Sequence, residues 1–380
     1  MKFSVTSGEL KQHLQTVSKV INPKSMTTVP VLGNILFELE GNLLTLTAAD
    51  INSRISSQLP VQNEGGAGCF TVPNQTLIGA INELPDQPIV LDVDEESYQA
   101  KIHYSNGQFS FLASSADTYP AALELTSDLQ QATLPASSLL SGLEATMLAA
   151  SADERRPIMT GVLLDFLEDR LVYVASDGRI LVRRTDYKVK TAEVSSLCLP
   201  AKICQLLVRT LLPKESGDVQ IAYDGKHIQL NMEQYTLTAR LLDGRYPNYN
   251  SVIPPSSPYH IVVDKDALLY AAKRVSLFSN KASRLILFEI QDDKIRITAN
   301  DLDLSAAAEE FILCQSDAGQ TRLRIAFDFD MLQVILQGLK TEQVTIAIAD
   351  QTRAGIITPN QEEEGEETLS LIIPLKLIGE

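Results

Sequence analysis

The chain has no tryptophan, and only four histidines and four cysteines among its 380 residues. His13, His103, His227 and His260 are isolated from one another, which leaves little from which to build a catalytic triad or a metal cluster. Cys69, Cys198, Cys204 and Cys314 contain no C-x-x-C pair. Scattered in this way they argue against a disulfide framework or a zinc site and read as buried thiols in a reducing cytoplasm. No apolar run approaches the roughly 18 residues that a membrane span requires. The N-terminal MKFSVTSGELKQHL has no apolar core of the kind a secretory signal carries, so a cytoplasmic protein is expected. Gly225-Lys226 lacks the preceding glycine of a phosphate loop, and neither G-x-S-x-G nor H-E-x-x-H occurs. No aromatic run alternates with lysine or arginine, which argues against stacking on single-stranded nucleic acid. An enzyme is not expected, and no metal or other cofactor is implied.

What is present is one sentence written three times. It reads NILFELEGNLLTLTAAD from Asn34 to Asp50, GVLLDFLEDRLVYVASD from Gly161 to Asp177, and RLILFEIQDDKIRITAND from Arg284 to Asp301. The closing aspartates stand 127 and 124 residues apart. A period of this length means a whole domain in tandem, because solenoid units run only about 20–50 residues. Each copy carries an acid (Glu38, Asp165, Glu289) before two alternating apolar runs meet at a turn, the pattern of a β-hairpin. The closing Asp50, Asp177 and Asp301 could be offered as acid–base groups. Each ends a strand before a turn, however, where aspartate ordinarily binds neighbouring backbone N–H groups.

Amphipathic helices precede the hairpins at Ser7 to Ile21, Pro135 to Ser151 and Lys265 to Ser279, with Ser7 able to cap the first. Second helices are expected at Asn74 to Leu84, Ala201 to Leu212 and Asp328 to Leu339, two of them introduced by proline. Further alternating strands follow. The fold class is therefore α+β: three repeats, each of two helices and an antiparallel sheet, with boundaries at 1–126, 127–255 and 256–380.

The formal charge of −16 speaks against nucleic acid if taken as a sum. Its distribution is more informative. Acid gathers at Asp92 to Glu96 and at Glu362 to Glu367, the latter expected as a solvated hairpin loop. Three helical segments are instead basic: Lys11, His13, Lys19 and Lys24; Lys202, Arg209 and Lys214; and Lys265, Lys273, Arg274, Lys281 and Arg284. A positive face made by helices follows from this sorting. Asn74 to Leu84 breaks the trend with Glu83 and no base.

Blocks throughout the chain resemble the bacterial sliding clamp family, the beta subunits of DNA polymerase III. They include TVPVLGNILFEL, LTLTAADINSRI, RRPIMTGVLLDF, ASDGRILV, LLDGRYPNYNSVIP, ITANDLDLSAAAEEF and the terminal LSLIIPLKLIGE. The resemblance implies the DNA clamp fold, with two three-domain chains joined head to tail in a closed ring, helices lining a hole for duplex DNA and sheets outside. It implies processivity by topology, because a polymerase tethered to a ring rebinds intramolecularly, while sequence-blind phosphate contacts still allow sliding. The alternative is a three-domain scaffold that binds peptides and encircles nothing.

By resemblance, Lys24, Arg155, Arg156, Lys202 and Lys281 would meet DNA. Met26 stands where the family has arginine, and Pro157-Ile158 replace a tyrosine pair. Partners (the replicative polymerase, the clamp loader and others) would insert a short peptide into a pocket of Met159, Ser176, Gly178, Leu181, Pro247, Val252, Met331, Ile373, Pro374, Leu375 and Leu377. Ile180 and Ser251 replace family arginines beside it, and Ile378, Gly379 and Glu380 run past the usual end. The homodimer contact would set Ala80, Leu84, Phe109 and Phe111 against Leu277 and Phe278.

Overall fold

The three copied segments fold as hairpins closed by two-residue turns. Asn34–Glu40 pairs with Leu43–Ala49, Gly161–Leu167 with Arg170–Ser176, and Leu285–Gln291 with Lys294–Asp301. The computed structural model describes residues 1–126, 128–191 and 193–377. The terminal Ile378, Gly379 and Glu380 lie outside the described residues. The three closing aspartates are turn formers. Asp50 Oδ1 accepts from the Asn52 N–H at 2.8 Å and the Ser53 hydroxyl at 2.7 Å. Asp177 Oδ1 accepts from the N–H groups of Arg179 and Ile180 at 2.7 and 2.8 Å, and Asp301 Oδ1 from those of Asp303 and Leu304 at 3.0 and 3.3 Å. Each carboxylate accepts from at least one backbone N–H of the turn that follows it, as the turn position requires.

Each repeat runs strand, helix, three strands, a fifth strand, helix, and three strands more. The first, sixth, seventh and eighth strands lie side by side, and so do the fifth, second, third and fourth. The first repeat adds two short strands, Gln62–Gly65 and Ser114–Ser115. Two compact units result: Met1–Ser137 with Leu206–Leu241, and Ser138–Gln205 with Leu242–Glu380. The first unit holds a 5-stranded and a 9-stranded sheet, the second a 12-stranded sheet.

One pairing inside each unit joins repeat to repeat. In the first unit, the fourth strand of repeat one (Ser53–Pro60) pairs antiparallel with the eighth of repeat two (Tyr235–Arg240), with Ile55 opposite Leu237 and Ser53 opposite Ala239. In the second unit, the fourth strand of repeat two (Ile180–Asp186) pairs with the eighth of repeat three (Glu366–Ile372), with Ile180 opposite Ile372 and Val182 opposite Ser370. Ala239, Leu237, Ile372 and Ser370 are all fully buried there. Charge reinforces the second junction: Arg183 pairs with Glu367 at 2.6 Å, Arg184 with Glu366, and Lys188 with Glu366 at 3.1 Å. The acidic stretch expected as a solvated hairpin loop thus contributes two of its glutamates to a junction, because the antiparallel register sets Arg184 and Arg183 near them.

The six expected helices form, generally shorter than their patterns. Ser7–Val17 is capped by Thr6, whose hydroxyl accepts from the Glu9 N–H, one residue before the expected Ser7; Ser7 instead bonds Pro85 and is buried. Lys265–Ser276 is capped by Asp264 and buries Leu268, Ala271, Ala272 and Val275 along one stripe. Ala201–Leu206 runs on into a π turn at Leu207–Leu211. Pro73 is the N-cap of Asn74–Asn82 rather than its first helical residue. Cys198, Cys204 and Cys314 are buried as expected and Cys69 is exposed.

His13 does not belong to a basic face. It is buried beneath the first junction, contacting the Ser57 hydroxyl through Nδ1 and stacking on Tyr235 at 5.7 Å. Burial lowers its pKa below the ordinary 6.5, against the pull of Glu9 and with the push of Lys214. Below pH 6.5 the unfolded chain therefore binds a proton that the folded chain refuses, so stability falls as pH drops until the folded value is reached. Urea midpoints of the first unit's transition are expected to fall between pH 7.5 and 5.5, and His13→Gln to flatten that slope. Carboxylates titrate mainly below about 4.5 and stay out of this window. Equal slopes in both proteins would contradict the assignment.

Candidate functional site

Two helical segments of the first unit enclose a basic groove of about 330 Å³. Lys11 and Lys19 come from Ser7–Val17 and the short helical turn after it, Arg209 from the π turn, and Lys214 from the turn that follows. Gly8, Gln12, Gln15, Thr16 and Thr210 complete the lining, and no carboxylate is among these residues. Lys214 reaches the Thr16 hydroxyl at 3.4 Å, and Lys11 the Asn82 carbonyl at 3.2 Å. The groove presents amine, guanidinium, amide and hydroxyl donors, which suits oxygen-bearing anions and offers no base-reading surface. Charge sorting by element names these four cations; the π turn that brings Arg209 to the groove has no sequence signature.

The five residues carried over as DNA contacts divide between the two units. Lys24, in the first unit, is exposed on the short helix Pro23–Thr28. Its neighbour Met26 turns inward against Gly33, where an added Cβ would come within 2.6 Å of the methionine methyl. The other four lie in the second unit. Lys202 is exposed in the first turn of Ala201–Leu206, and Lys281 is exposed after Lys265–Ser276. Arg155 makes a two-pronged contact with Asp153 at 2.8 and 3.0 Å. Arg156 donates to the Asp177 carbonyl at 3.1 Å and lies over Gly178. The third basic segment is less positive than its composition suggests: Arg274 is bound by Glu310, and Arg284 by Asp330 at 3.2 Å.

The proposed peptide residues all lie in the second unit, and the junction strands gather most of them. Ile180 opposite Ile372 brings the Asp177–Arg179 turn beside the tail, where the Ile373 N–H donates to the Arg179 carbonyl at 2.9 Å. Gly178 takes φ 91°, a conformation that an L side chain rarely adopts. Ser176 closes this turn, donating to the Ile180 carbonyl at 2.7 Å and accepting from the Gly178 N–H at 3.1 Å. The tail is held further on by the Leu375 N–H on the Ala326 carbonyl at 2.8 Å, leaving Pro374, Leu375 and Leu377 half-buried. Met331, in the first turn of Phe329–Gly338, is almost covered. Met159 is also nearly buried, in the turn Pro157–Met159.

Leu181 lies deeper than a rim residue. It belongs to a cluster with Leu163, Val172, Val174, Ile356 and Leu371, against which Tyr246, Tyr249 and Ile253 pack. Those three residues place the segment carrying exposed Pro247 and Val252 over the sheet. Tyr249 anchors it by donating to Asp165 at 2.8 Å, and burial with the Asp165 carboxylate pushes its phenol up to about 12. Tyr246, Tyr249 and Ile253 were not singled out from sequence; the aromatic spacing in RYPNYNSVI was the available signal. Val252 is 55% and Ile373 46% exposed, so the surface offers apolar side chains to water. Such positions suit the anchor side chains of a peptide.

The expected dimer residues lie on edges. Phe109 and Phe111 sit on the last strand of the 5-stranded sheet, across from Ile102 and Ala100 and on the same face as those buried residues. Both phenylalanines are only half-buried, as are Ala80 and Leu84 on and beside Asn74–Asn82. Leu277 and Phe278 are 74% and 45% exposed at the end of Lys265–Ser276.

Comparison with known proteins accounts for the whole chain. Family models for the N-terminal, central and C-terminal domains of the DNA polymerase III beta subunit match residues 1–124, 133–248 and 250–374. The beta sliding clamp of Pseudomonas aeruginosa is 26% identical over 378 residues, covering 99% of this chain and 100% of the relative. That of Synechococcus elongatus is 29% identical over 366 residues, covering 94% and 96%. Among solved structures, a sliding clamp from Pseudomonas aeruginosa bound to griselimycin aligns with a TM-score of 0.92 at 26% identity, over 99% of this chain and 100% of that one. A clamp from Bartonella birtlesii, also bound to griselimycin, aligns with 0.91 at 26% identity and the same coverage. With three clamp domains in succession and full-length likeness in sequence and fold, the chain belongs to the bacterial DNA polymerase III beta subunit family, the beta sliding clamps.

Proposed function

We propose that two copies of this chain close head to tail into a ring around duplex DNA, and that the ring tethers the replicative polymerase and other peptide-bearing proteins. One observation carries the closure. A fourth strand pairs with the eighth strand of the next repeat twice within the chain, and a third such pair is left unmade. Among the described residues, the eighth strand of repeat one, Gly107–Leu112, is an open edge, and residues 306–313 of the fourth strand of repeat three are bonded on one side only. Two free ends of one heterologous contact can close a ring with a second copy.

The internal junctions supply the register. Aligned from the helix starts at Ser7, Ala136 and Lys265 through each ladder, Phe111 corresponds to Ala239 and Ile372, and Phe109 to Leu237 and Ser370. Ser53 and Ile180 correspond to Ala306. Phe111 would then face Ala306 and Phe109 face Ala308, large against small. The acids of that edge are already matched within the chain, Glu309 by Arg296 at 2.5 Å and Glu310 by Arg274. A monomeric scaffold would expose the same edge to aggregation, and nothing in the geometry favours it.

On this reading the repeats are bounded at 1–126, 127–255 and 256–380; the three family-model ranges, the third of which begins at residue 250, support three successive domains. The basic groove, with Lys24, Lys202 and Lys281, meets phosphates, and the chain performs no chemistry of its own. The ring works in the cytoplasm; among the described residues no helix is long and apolar enough to cross a membrane. The clamps solved with griselimycin support a ligand site on this fold. After loading onto nicked circular DNA the protein is expected to stay bound through a salt wash and to leave once the circle is cut. Equal loss from circular and linear DNA would refute encirclement.

A further inference from the structure

The open fourth strand is entered through a turn unlike its two counterparts. Asp50 and Asp177 reach Ser53 and Ile180 across Ile51-Asn52 and Gly178-Arg179, whereas Asp301 reaches Ala306 across Leu302, Asp303, Leu304 and Ser305, two residues more. The longer turn carries Leu302 and Leu304 at 85% and 70% exposure. Two leucines held this far into water by a structured turn call for a cover.

The internal junctions show what lies beside this turn. In each, the residue at the end of the eighth strand's pairing donates its N–H to the carbonyl just before the fourth strand: Arg240 to Asn52 at 2.8 Å, and Ile373 to Arg179 at 2.9 Å. The same alignment puts Leu112 and Ser305 in these two roles at the unmade junction. Leu112 is suited to its part. The Ala113 N–H bonds the Tyr98 carbonyl on the inner side, so the Leu112 N–H faces the open edge. Its side chain is 64% exposed.

We propose that the Leu302–Ser305 turn is an apolar clasp that closes over Leu112 of a second copy, with the Leu112 N–H donating to the Ser305 carbonyl. The occupant is this chain itself, because the register that places the turn beside Leu112 is the one its own two junctions display. The inference rests on the ring reading and adds to it a contact beyond the strand pair and the phenylalanines. Since a two-membered ring has two such contacts, loss of the clasp is felt twice in the dissociation of the dimer.

The test measures dimer dissociation by mass photometry over a dilution series of the full-length chain. Leu302→Ser with Leu304→Ser is expected to raise the dissociation constant at least tenfold, and so is Leu112→Ser. All three together should cost no more than the worse of the two, because they remove one contact. These side chains are exposed in the single chain, so the thermal transition of the dissociated monomer, read at a concentration where the wild type too has come apart, should not move. Strictly additive losses, or none, would overturn the clasp while a wild-type dimer upholds the ring; a wild-type monomer at micromolar concentration would overturn both. A second arm needs no loss of affinity. In a Cys69→Ser background, which removes the exposed native thiol, Leu112→Cys with Ser305→Cys should oxidise to a covalent dimer. Ser110→Cys with Ser305→Cys should not. A wild-type-like dimer in which neither or only the second pair cross-links would overturn the register.

Discussion

Phe111→Arg is expected to leave the chain monomeric at micromolar concentration and unable to remain on circular DNA. The residue's counterparts at the two internal junctions, Ala239 and Ile372, are fully buried, while Phe111 on the open edge is half-exposed and awaits the same burial. Opposite Ala306 an arginine would have to bury its charge beside the apolar Phe109. The nearby acids offer no relief, because Glu309 and Glu310 are held by Arg296 and Arg274. Burying an unpaired charge in such a contact costs about 3–5 kcal/mol. A ring breaks at two identical contacts, so the dimer loses this twice, which is roughly four or more decades in dissociation constant at 1.4 kcal/mol per decade. The fold should survive, since position 111 is at an edge and the side chain can swing into water in the monomer. Sedimentation velocity reads the mass, and circular-DNA retention reads the consequence. A variant that remains dimeric would place the closure elsewhere than the Gly107–Leu112 edge.

Much of this organisation is legible in the sequence because it is written in strong local patterns. Alternating runs around a turn give the hairpins, and helical stripes such as Leu268, Ala271, Ala272 and Val275 give the helices. The turn role of Asp50, Asp177 and Asp301 follows from their position alone and is matched by their backbone bonds. Other features depend on pairings between distant residues. Nothing local in LLVRTLLPK announces a π turn, and nothing in KQHLQTV reveals that His13 is buried neutral against Ser57. The charge sort overcounts for the same reason. Arg274 and Arg284 look cationic in sequence, while their carboxylate partners, Glu310 and Asp330, lie on other elements. The junction between repeats is a long-range register that only the ladders expose, and with it comes the unmade third pair.

The second large effect is expected at the apolar surface beside the Asp177 turn. Val252→Arg combined with Ile373→Arg should weaken a clamp-binding peptide by about 100-fold, roughly 2.7 kcal/mol, in the range that a pair of anchor contacts supplies. These two side chains are chosen because they are 55% and 46% exposed, so their replacement leaves the core intact. Met331 would be a less clean choice: at 7% exposure in the first turn of its helix, Met331→Arg tests packing together with binding. The tail's own attachment limits what the substitution disturbs, since the Ile373 and Leu375 N–H groups bond the carbonyls of Arg179 and Ala326 whatever side chains they carry. Fluorescence anisotropy of a labelled peptide measures the loss, and sedimentation confirms that the dimer persists. The dimer should be indifferent, because Val252 and Ile373 do not lie on the Gly107–Leu112 edge or on the Leu302–Ser305 turn. Affinity unchanged in the double variant would move the peptide away from the tail. A parallel fall in peptide binding and dimer mass would instead mean that the two surfaces are coupled through the junction that Ile180 and Ile372 make.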